Sequence, residues 1–275
     1  MSGIAHLLAR KGAAKIALIP DEVLAALNAG LIPTVNLNEF LAIDLAILTP
    51  NVARQVELDP QSDRLQDTLA MLGAFKPMKR HEHIARALYD LTAEQAQTAR
   101  DAVATALASH PSDVARCWAA QWLQFTGQTL VQKLHAVRRF AADPHFGVRE
   151  IAWMAVRDDV VAQLDTAIVL LQPWTADPDE NIRRFASELT RPRGVWCAQI
   201  DALKAEPWRA RVLLEPLKAD ASRYVQNSVA NWLNDASKSQ PEWVQGVCDD
   251  WAQTSASAHT LYITKRALRT LDKTV

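Results

Sequence analysis

The sequence predicts an all-α protein, an α-solenoid of two-helix repeats with a helical cap at its N-terminus. The chain has only 8 glycines in 275 residues and is rich in Ala, Leu, Asp and Gln, which favours helix over sheet. A similar segment recurs along the second half, at a spacing of roughly 34 to 43 residues. Inside each copy the apolar residues recur in steps of four, as on one face of a helix.

Three copies of the repeat are clear, and they begin at Ala142, Ala176 and Ala219. They read ADPHFGVREIAWMAV, ADPDENIRRFASELT and ADASRYVQNSVANWL. Each copy opens with an Asp that is expected to cap the following helix and that precedes an aliphatic residue by five positions. These pairs are Asp143 and Val148, Asp177 and Ile182, and Asp220 and Val225. The spacing is typical of HEAT-like repeats.

The chain divides by this pattern into two regions. Residues 1–105 are predicted to form an N-terminal helical cap, because they read as helical but do not match the repeat. Residues 106–275 are predicted to form the HEAT-like repeats, in one continuous domain, with a weaker copy from Ala108 and a degenerate one from Ser255.

Charge and cysteine usage exclude several classes of site. The formal net charge is −1, so any anion site requires local placement of Arg and Lys. Cys117, Cys197 and Cys248 show no C-x-x-C spacing, which argues against a zinc site and against a disulfide framework. The sequence has neither a long apolar segment nor a clear signal cleavage site. We therefore expect a cytoplasmic protein.

Four arginines lie close together in RRFASELTRPRGVW, residues 183–196. They are Arg183, Arg184, Arg191 and Arg193, and Arg149 occupies the position of Arg183 in the preceding repeat. Guanidinium groups suit bidentate contacts with phosphate, so these side chains are candidates for an anion site. The alternative is that they line a solvated face, where Arg184 can pair with Glu188 four residues further on, or pin neighbouring repeats together.

The next repeat carries a polar group near the end of its helix, in SVANWLNDASK. Asn231 and Asp235 lie four residues apart, with Asn234 beside them. A carboxylate there is unfavourable for the helix dipole, and this cost indicates a function for Asp235. The alternative is that these side chains satisfy backbone groups at the turn between repeats.

The segments DENIRRFASELTRPRGVW, YVQNSVANWLNDASK and KRALRTL, in this order, resemble the AlkC branch of the HEAT-like DNA alkylation repair glycosylases. The resemblance covers residues 140–272. It implies a metal-independent DNA glycosylase that removes cationic alkylated bases, such as 3-methyladenine, from duplex DNA. The implied partner is alkylated duplex DNA bound by a monomer, with no cofactor, metal or membrane.

The resemblance also implies roles for individual residues. Asp235 matches the acidic position of the LND motif and is the first candidate for catalysis. The candidate DNA-binding side chains are Arg149, Arg183, Arg184, Arg191, Arg193, Lys238, Asn231, Asn234, Trp153, Trp196 and Trp232. The tryptophans are the candidate contacts to a cationic base, although core packing is the alternative for each.

One position departs from the family pattern, because His145 stands where a catalytic Glu is expected. His145 is a second candidate catalytic residue if its neutral ring acts as a base, and a capping or surface role is the alternative. Two other functions therefore stay open: a non-catalytic member of the fold that binds DNA, and a HEAT scaffold that binds a protein partner.

Overall fold

The computed structural model describes residues 4–194 and 197–273, and within these ranges it contains helices and no strand. The predicted all-α fold is thus confirmed. The α-helices described are α1 Ala5–Leu8, α2 Asp21–Asn28, α3 Leu37–Ala42, α4 Leu45–Gln55, α5 Asp63–Met71, α6 Pro77–Asp90, α7 Gln97–Ala108, α8 Asp113–Trp122, α9 Leu130–Ala141, α10 Phe146–Ala162, α11 Leu164–Leu171, α12 Glu180–Leu189, α13 Asp201–Ala205, α14 Arg211–Leu214, α15 Arg223–Ser237, α16 Pro241–Thr254 and α17 Ala258–Ala267. In that part of the chain no helix is both long and apolar enough to cross a lipid bilayer.

Contacts between residues divide the chain into two compact units. The first comprises Met1–Gly127 with His145–Ala155, and the second comprises Gln128–Pro144 with Val156–Val275. This division reflects which residues contact one another, and it does not coincide with the repeat boundaries predicted from the sequence. The repeat boundary at residue 106 accordingly stays a prediction.

In the first unit, α8 packs against both α6 and α7 around two buried histidines. Trp118 of α8 donates its indole N–H to Nδ1 of His81 on α6, at 3.2 Å. His110 accepts a hydrogen bond from the Ser112 N–H at 3.1 Å, and its Nε2 lies 2.7 Å from Oε1 of Gln55. Burial lowers the pKa of each imidazole to about 4, helped by nearby arginine charges. Both rings are therefore neutral near pH 7.

In the second unit, α12, α15 and α17 pack side by side, and α16 packs against both α15 and α17. The predicted caps of α12 and α15 are wrong by two residues. Asp179 and Ser222 are the N-caps, and their side chains accept hydrogen bonds from the first turn of each helix. Asp177 and Asp220 instead accept the backbone N–H of Asp179 and of Ser222, at 2.9 and 2.8 Å. Each Asp thus shapes the turn that precedes the helix.

A buried arginine fixes the main chain that follows α12. Arg157 of α10 is 1% exposed, and burial lowers the pKa of its guanidinium. It donates to the carbonyls of Leu189, Arg191 and Ala198, at 2.7, 2.8 and 3.1 Å. Since the last carbonyls of a helix have no partner within the helix, Arg157 acts as a side-chain cap for α12.

We expect Arg157→Leu to lower the free energy of unfolding by about 3 kcal/mol. The substitution leaves three carbonyl groups without their donor, and the contact to one of them, that of Leu189, is buried. Urea unfolding followed by circular dichroism measures the change.

The control is Arg209→Leu, because Arg209 pairs with Asp165, whose side chain is 81% exposed. This substitution should change stability by less than about 0.5 kcal/mol. Equal effects of the two substitutions would contradict the capping role of Arg157.

Stability should also fall as the pH is lowered from 7 to 5. The pKa of His81 and of His110 is lower in the folded protein than the ordinary value of 6.5, so the unfolded chain binds more protons in this window. We expect a loss of about 2 kcal/mol for each histidine, measured by urea unfolding at both pH values. His81→Phe should reduce the pH dependence by about half. The exposed control His135→Asn should leave it unchanged, and a wild-type protein equally stable at both pH values would disprove the assignment.

Candidate functional site

The side chains at the end of α12 and on α15 are joined by one arginine. Arg191 follows α12, and its Nε and Nη2 donate to Oδ2 of Asp235 on α15, at 2.9 and 2.7 Å. Its Nη1 donates to Oε1 of Glu188, at 2.7 Å. Arg191 therefore links two carboxylates that are 47 residues apart in the sequence (235 − 188 = 47).

Two further cations complete what we call the charged cluster, which consists of Arg184, Glu188, Arg191, Asp235 and Lys238. Arg184 lies 3.4 Å from Glu188, which confirms the predicted pairing, and Lys238 lies 3.3 Å from Asp235. Three cations and two carboxylates give the cluster a net charge of +1. The excess charge is positive, as an anion site requires.

The cluster is largely buried, and the pKa values of two of its members, Glu188 and Arg191, are shifted. Burial of Glu188 acts to raise the pKa of its carboxyl, but Arg184 and Arg191, with a hydrogen bond from Ser228, outweigh it and lower the pKa. For Arg191, burial acts to lower the pKa, whereas Glu188 and Asp235 together raise it. Glu188 and Arg191 are thus both held in their charged forms at neutral pH.

Asp235 is 4% exposed, and it lies in the last turn of α15. The sequence predicted that a carboxylate there is unfavourable for the helix dipole. Arg191 and Lys238 offset that cost, since their charges lie against the carboxylate. The position of Asp235 is therefore stabilised by a neighbouring repeat as well as by its own helix.

Arg193 and Lys238 are the more accessible cations near Asp235. The side chain of Lys238 is 42% exposed. Arg193 is half-buried, and it donates to the Asp235 carbonyl at 3.2 Å and to Oγ of Ser239 at 2.8 Å. Both side chains lie at the end of α15 and are partly exposed to solvent, so they can contact an anion that binds at the surface.

Arg183 and Arg184 are engaged within the fold. Arg183 forms a bidentate pair with Asp220, at 2.6 and 3.0 Å, and also donates to the carbonyls of Asp177 and Pro178. Arg184 is 7% exposed and lies over the ring of Tyr224 at 4.7 Å. For Arg183, this geometry matches the alternative in which arginines pin neighbouring repeats together.

The two asparagines have separate partners in the second unit. Asn234 is buried and donates to the carbonyl of Ala267 at 2.9 Å, so it ties α15 to the end of α17. Asn231 is half-buried, and its Oδ1 accepts a hydrogen bond from Arg269 at 2.9 Å. Only Asn231 is partly open to a ligand.

The predicted aromatic contacts lie in the core. Trp232 is fully buried and donates its indole N–H to the carbonyl of Thr190 at 3.0 Å. Trp153 is 2% exposed and donates to Oε2 of Glu150 at 3.0 Å. These positions match the core-packing alternative for both rings. Trp196 lies outside the residues that the structure describes.

His145 and Arg149 lie in the first unit. The ring of His145 is held on both nitrogens, because Nδ1 accepts the Gly147 N–H at 3.1 Å and Nε2 lies 2.8 Å from the Thr34 carbonyl. Its side chain is 10% exposed, and Asp113 lies 3.3 Å from Nδ1. This arrangement leaves no free nitrogen lone pair, so it does not suit the base that the sequence suggested. Arg149 is half-buried on α10.

Sequence reasoning missed the roles of Glu188 and Arg157. Glu188 was interpreted only as a surface partner of Arg184, and the signal that it is buried is a serine in the next repeat, Ser228, which donates to it at 2.7 Å. Arg157 follows the apolar run IAWMAV of α10 and precedes Asp158 and Asp159, so its place in the sequence indicates a surface residue and carries no signal of the cap. Among the described residues, no group of His, Cys, Asp and Glu could hold a metal ion.

Comparison with known proteins places this site in context. No family model matches the chain. It is 43% identical over 119 residues to the uncharacterized protein YhaZ of Bacillus subtilis (strain 168), a match that covers 43% of this chain and 33% of that protein. The chain thus spans about a third of the length of this relative.

Solved structures of DNA repair proteins share the fold. The Pseudomonas fluorescens alkylpurine DNA glycosylase AlkC, bound to DNA containing an abasic site analog, is similar with a TM-score of 0.67 and 27% identity. That match covers 82% of this chain and 62% of the AlkC chain, so this chain spans less than two thirds of AlkC. AlkD2 from Streptococcus mutans is similar in fold, with a TM-score of 0.57 and 21% identity, over 75% of this chain and 98% of that one. The chain is thus similar in fold to the AlkC/AlkD-like HEAT-repeat DNA alkylation repair proteins.

Proposed function

We propose that this protein binds alkylated duplex DNA at the charged cluster and hydrolyses the N-glycosidic bond of cationic alkylated bases such as 3-methyladenine. The observation that carries the proposal is Asp235, a carboxylate held between Arg191 and Lys238 at the end of α15. The similarity to AlkC, a glycosylase described in complex with DNA, supports the same assignment.

The chemistry requires little from the protein. An alkylated base carries a positive charge and leaves with the electron pair of the C–N bond, so it needs no protonation. Water then forms the new C–O bond at the sugar and releases a proton. The protein must stabilise the positive charge that develops on the sugar, and a carboxylate supplies this stabilisation. We assign that role to Asp235.

Phosphate binding and the availability of Asp235 are linked by the same cations. Arg191 and Lys238 both contact the Asp235 carboxylate. A phosphate group competes for these donors, because guanidinium and ammonium groups bind phosphate oxygens strongly. DNA that engages Arg191 or Lys238 would leave the carboxylate less neutralised and better able to stabilise a cationic sugar.

The proposed phosphate contacts are a subset of those predicted from the sequence. Arg191, Arg193 and Lys238 each contact Asp235, and Asn231 lies one turn before it on α15, which supports this assignment. We assign Arg183, Arg184, Asn234, Trp153 and Trp232 to stabilisation of the fold, because their donors and rings contact residues of the fold other than Asp235. A phosphate contact by Arg149 stays a prediction from its repeat position.

A non-catalytic DNA-binding protein is the second candidate. The engaged ring of His145 favours it, since no carboxylate stands at the position where the family pattern has Glu. The two candidates differ in whether Asp235 alone sustains base release.

We expect Asp235→Asn to reduce base release by roughly 100-fold or more, because a neutral amide cannot stabilise the cationic sugar. DNA affinity should stay equal or rise, since the substitution removes a negative charge next to the phosphate contacts. The measurement is chromatographic detection of free methylated base from methylated duplex DNA, beside DNA binding by fluorescence anisotropy.

The matched control is Asp249→Asn on α16, whose carboxylate accepts a hydrogen bond from exposed Gln245. Base release should be unchanged in this variant. Wild-type protein that binds DNA without releasing base would exclude the glycosylase and select the non-catalytic candidate.

Arg193→Ala combined with Lys238→Ala should weaken DNA binding and reduce the slope of log K against log salt by about 2, one unit for each lost phosphate contact. Anisotropy titrations at several salt concentrations measure the slope. The control pair is Lys204→Ala with Arg209→Ala, whose cations pair with Asp201 and Asp165 outside the charged cluster. A similar slope for both double variants would place the DNA elsewhere.

A further inference from the structure

The first unit contains a cavity of about 250 Å³ between α3, α4, α5 and α6. We call it the His81 cavity. Its apolar wall is formed by Phe40, Ile43, Leu45, Leu69, Leu72 and Met78. Its mouth includes Leu41, whose side chain is 52% exposed and lies in contact with solvent. A cavity of this size lies just below the usual range for pockets that bind drug-sized ligands, roughly 300–1,000 Å³, so it suits a smaller ligand.

His81 supplies a single hydrogen-bond donor to this cavity. Its Nδ1 accepts the indole N–H of Trp118 at 3.2 Å, so the proton of the neutral ring resides on Nε2. Burial, with the charge of Arg80, lowers its pKa to about 4 and keeps the ring neutral. Among the hydrogen bonds of the described residues, none uses the Nε2–H of His81, although the residue is only 5% exposed. Because His81 lines the cavity, its Nε2–H can donate to an acceptor placed there.

Arg80 adds a positive charge beside this donor. Its Nε donates to the carbonyl of Phe75 at 3.0 Å, and within the described chain no hydrogen bond uses its Nη groups. Asp44 also lines the cavity, but its carboxylate accepts the Ala46 N–H at 2.9 Å and caps α4. The charge of Asp44 is therefore partly offset by the N-terminus of its own helix. The positive charge of the Arg80 guanidinium can therefore attract an anion into the cavity.

We propose that the His81 cavity binds a small apolar carboxylate. The hydrocarbon part packs against the wall formed by Phe40 and Leu72. The carboxylate accepts hydrogen bonds from Nε2 of His81 and from the guanidinium of Arg80. A carboxylate satisfies both donors, whereas an alcohol of equal length brings no charge to Arg80. This binding site lies in the first unit, and the proposal is independent of the function proposed for the charged cluster.

Octanoate is the probe for the test, with 1-octanol as the uncharged analogue. Binding to the full chain is followed by the NMR resonances of the Trp118 indole and of His81. We expect octanoate to shift these resonances and to raise the melting temperature, and we expect octanol to bind about tenfold more weakly.

Variants separate this site from non-specific binding. Arg80→Gln and His81→Phe should each weaken octanoate binding about tenfold, and Arg80→Lys should retain most of it. The matched control is His83→Gln, because His83 lies on the same helix, stacks on Phe75 and does not line the cavity. Arg80→Gln keeps the test valid should His81→Phe fail to fold.

Three results would overturn the proposal. The first is no resonance shift with octanoate at millimolar concentration. The second is equal affinity of octanoate and octanol, which would leave no role for the charge of Arg80. The third is equal loss of binding in His83→Gln and Arg80→Gln, which would place the octanoate outside the cavity.

Discussion

The bridge from Arg191 to Glu188 and Asp235 is the interaction on which the second unit depends. It joins consecutive repeats, because Glu188 lies on α12 and Asp235 on α15. The bridge in turn depends on Arg157, which binds the main-chain carbonyl of Arg191 at 2.8 Å. Arg157 therefore fixes the backbone at Arg191, and Arg191 fixes the carboxylate of Asp235. A loop placed in this way can present charged groups with little loss of conformational entropy on binding.

Stability alone does not explain the charged cluster. Buried ion pairs pay a desolvation penalty that well-packed apolar side chains of similar volume avoid, so replacement by such residues is often neutral or favourable. Here three cations and two carboxylates are kept at the end of two helices, with every carboxylate paired. The positive excess and the retained Asp235 fit a site that exchanges its internal partners for those of an anion. This argument favours function over packing as the reason for the cluster.

The sequence predicted those parts of the structure that depend on local spacing. Steps of four identified the repeat helices, and the same spacing predicted the Arg184–Glu188 pair. The Arg191–Asp235 contact could not be predicted in this way, because the residues are 44 apart and the spacing of the repeats is irregular. Burial was equally hidden for Trp232, since a tryptophan in a helical pattern fits either a core or a ligand surface. The caps were misplaced because each repeat has two polar residues two positions apart, and the second of them meets the free N–H groups.

His145 stands where the resemblance implies a Glu, and this difference changes which residue must supply the negative charge. In this structure His145 stabilises the first unit through Thr34 and Gly147, with Asp113 close to the ring, and thus does not act as a free carboxylate would. The reaction on a cationic base tolerates such a loss better than most glycosidic cleavages, because the leaving group is already charged and needs no acid. What it cannot lose is negative charge near the sugar, since a carboxylate stabilises the cation that develops there. Asp235 can supply this charge only when its cations are engaged elsewhere. The phosphate backbone is the anion that would engage them, so base release in this chain would depend on DNA binding more strongly than in a site with a free carboxylate.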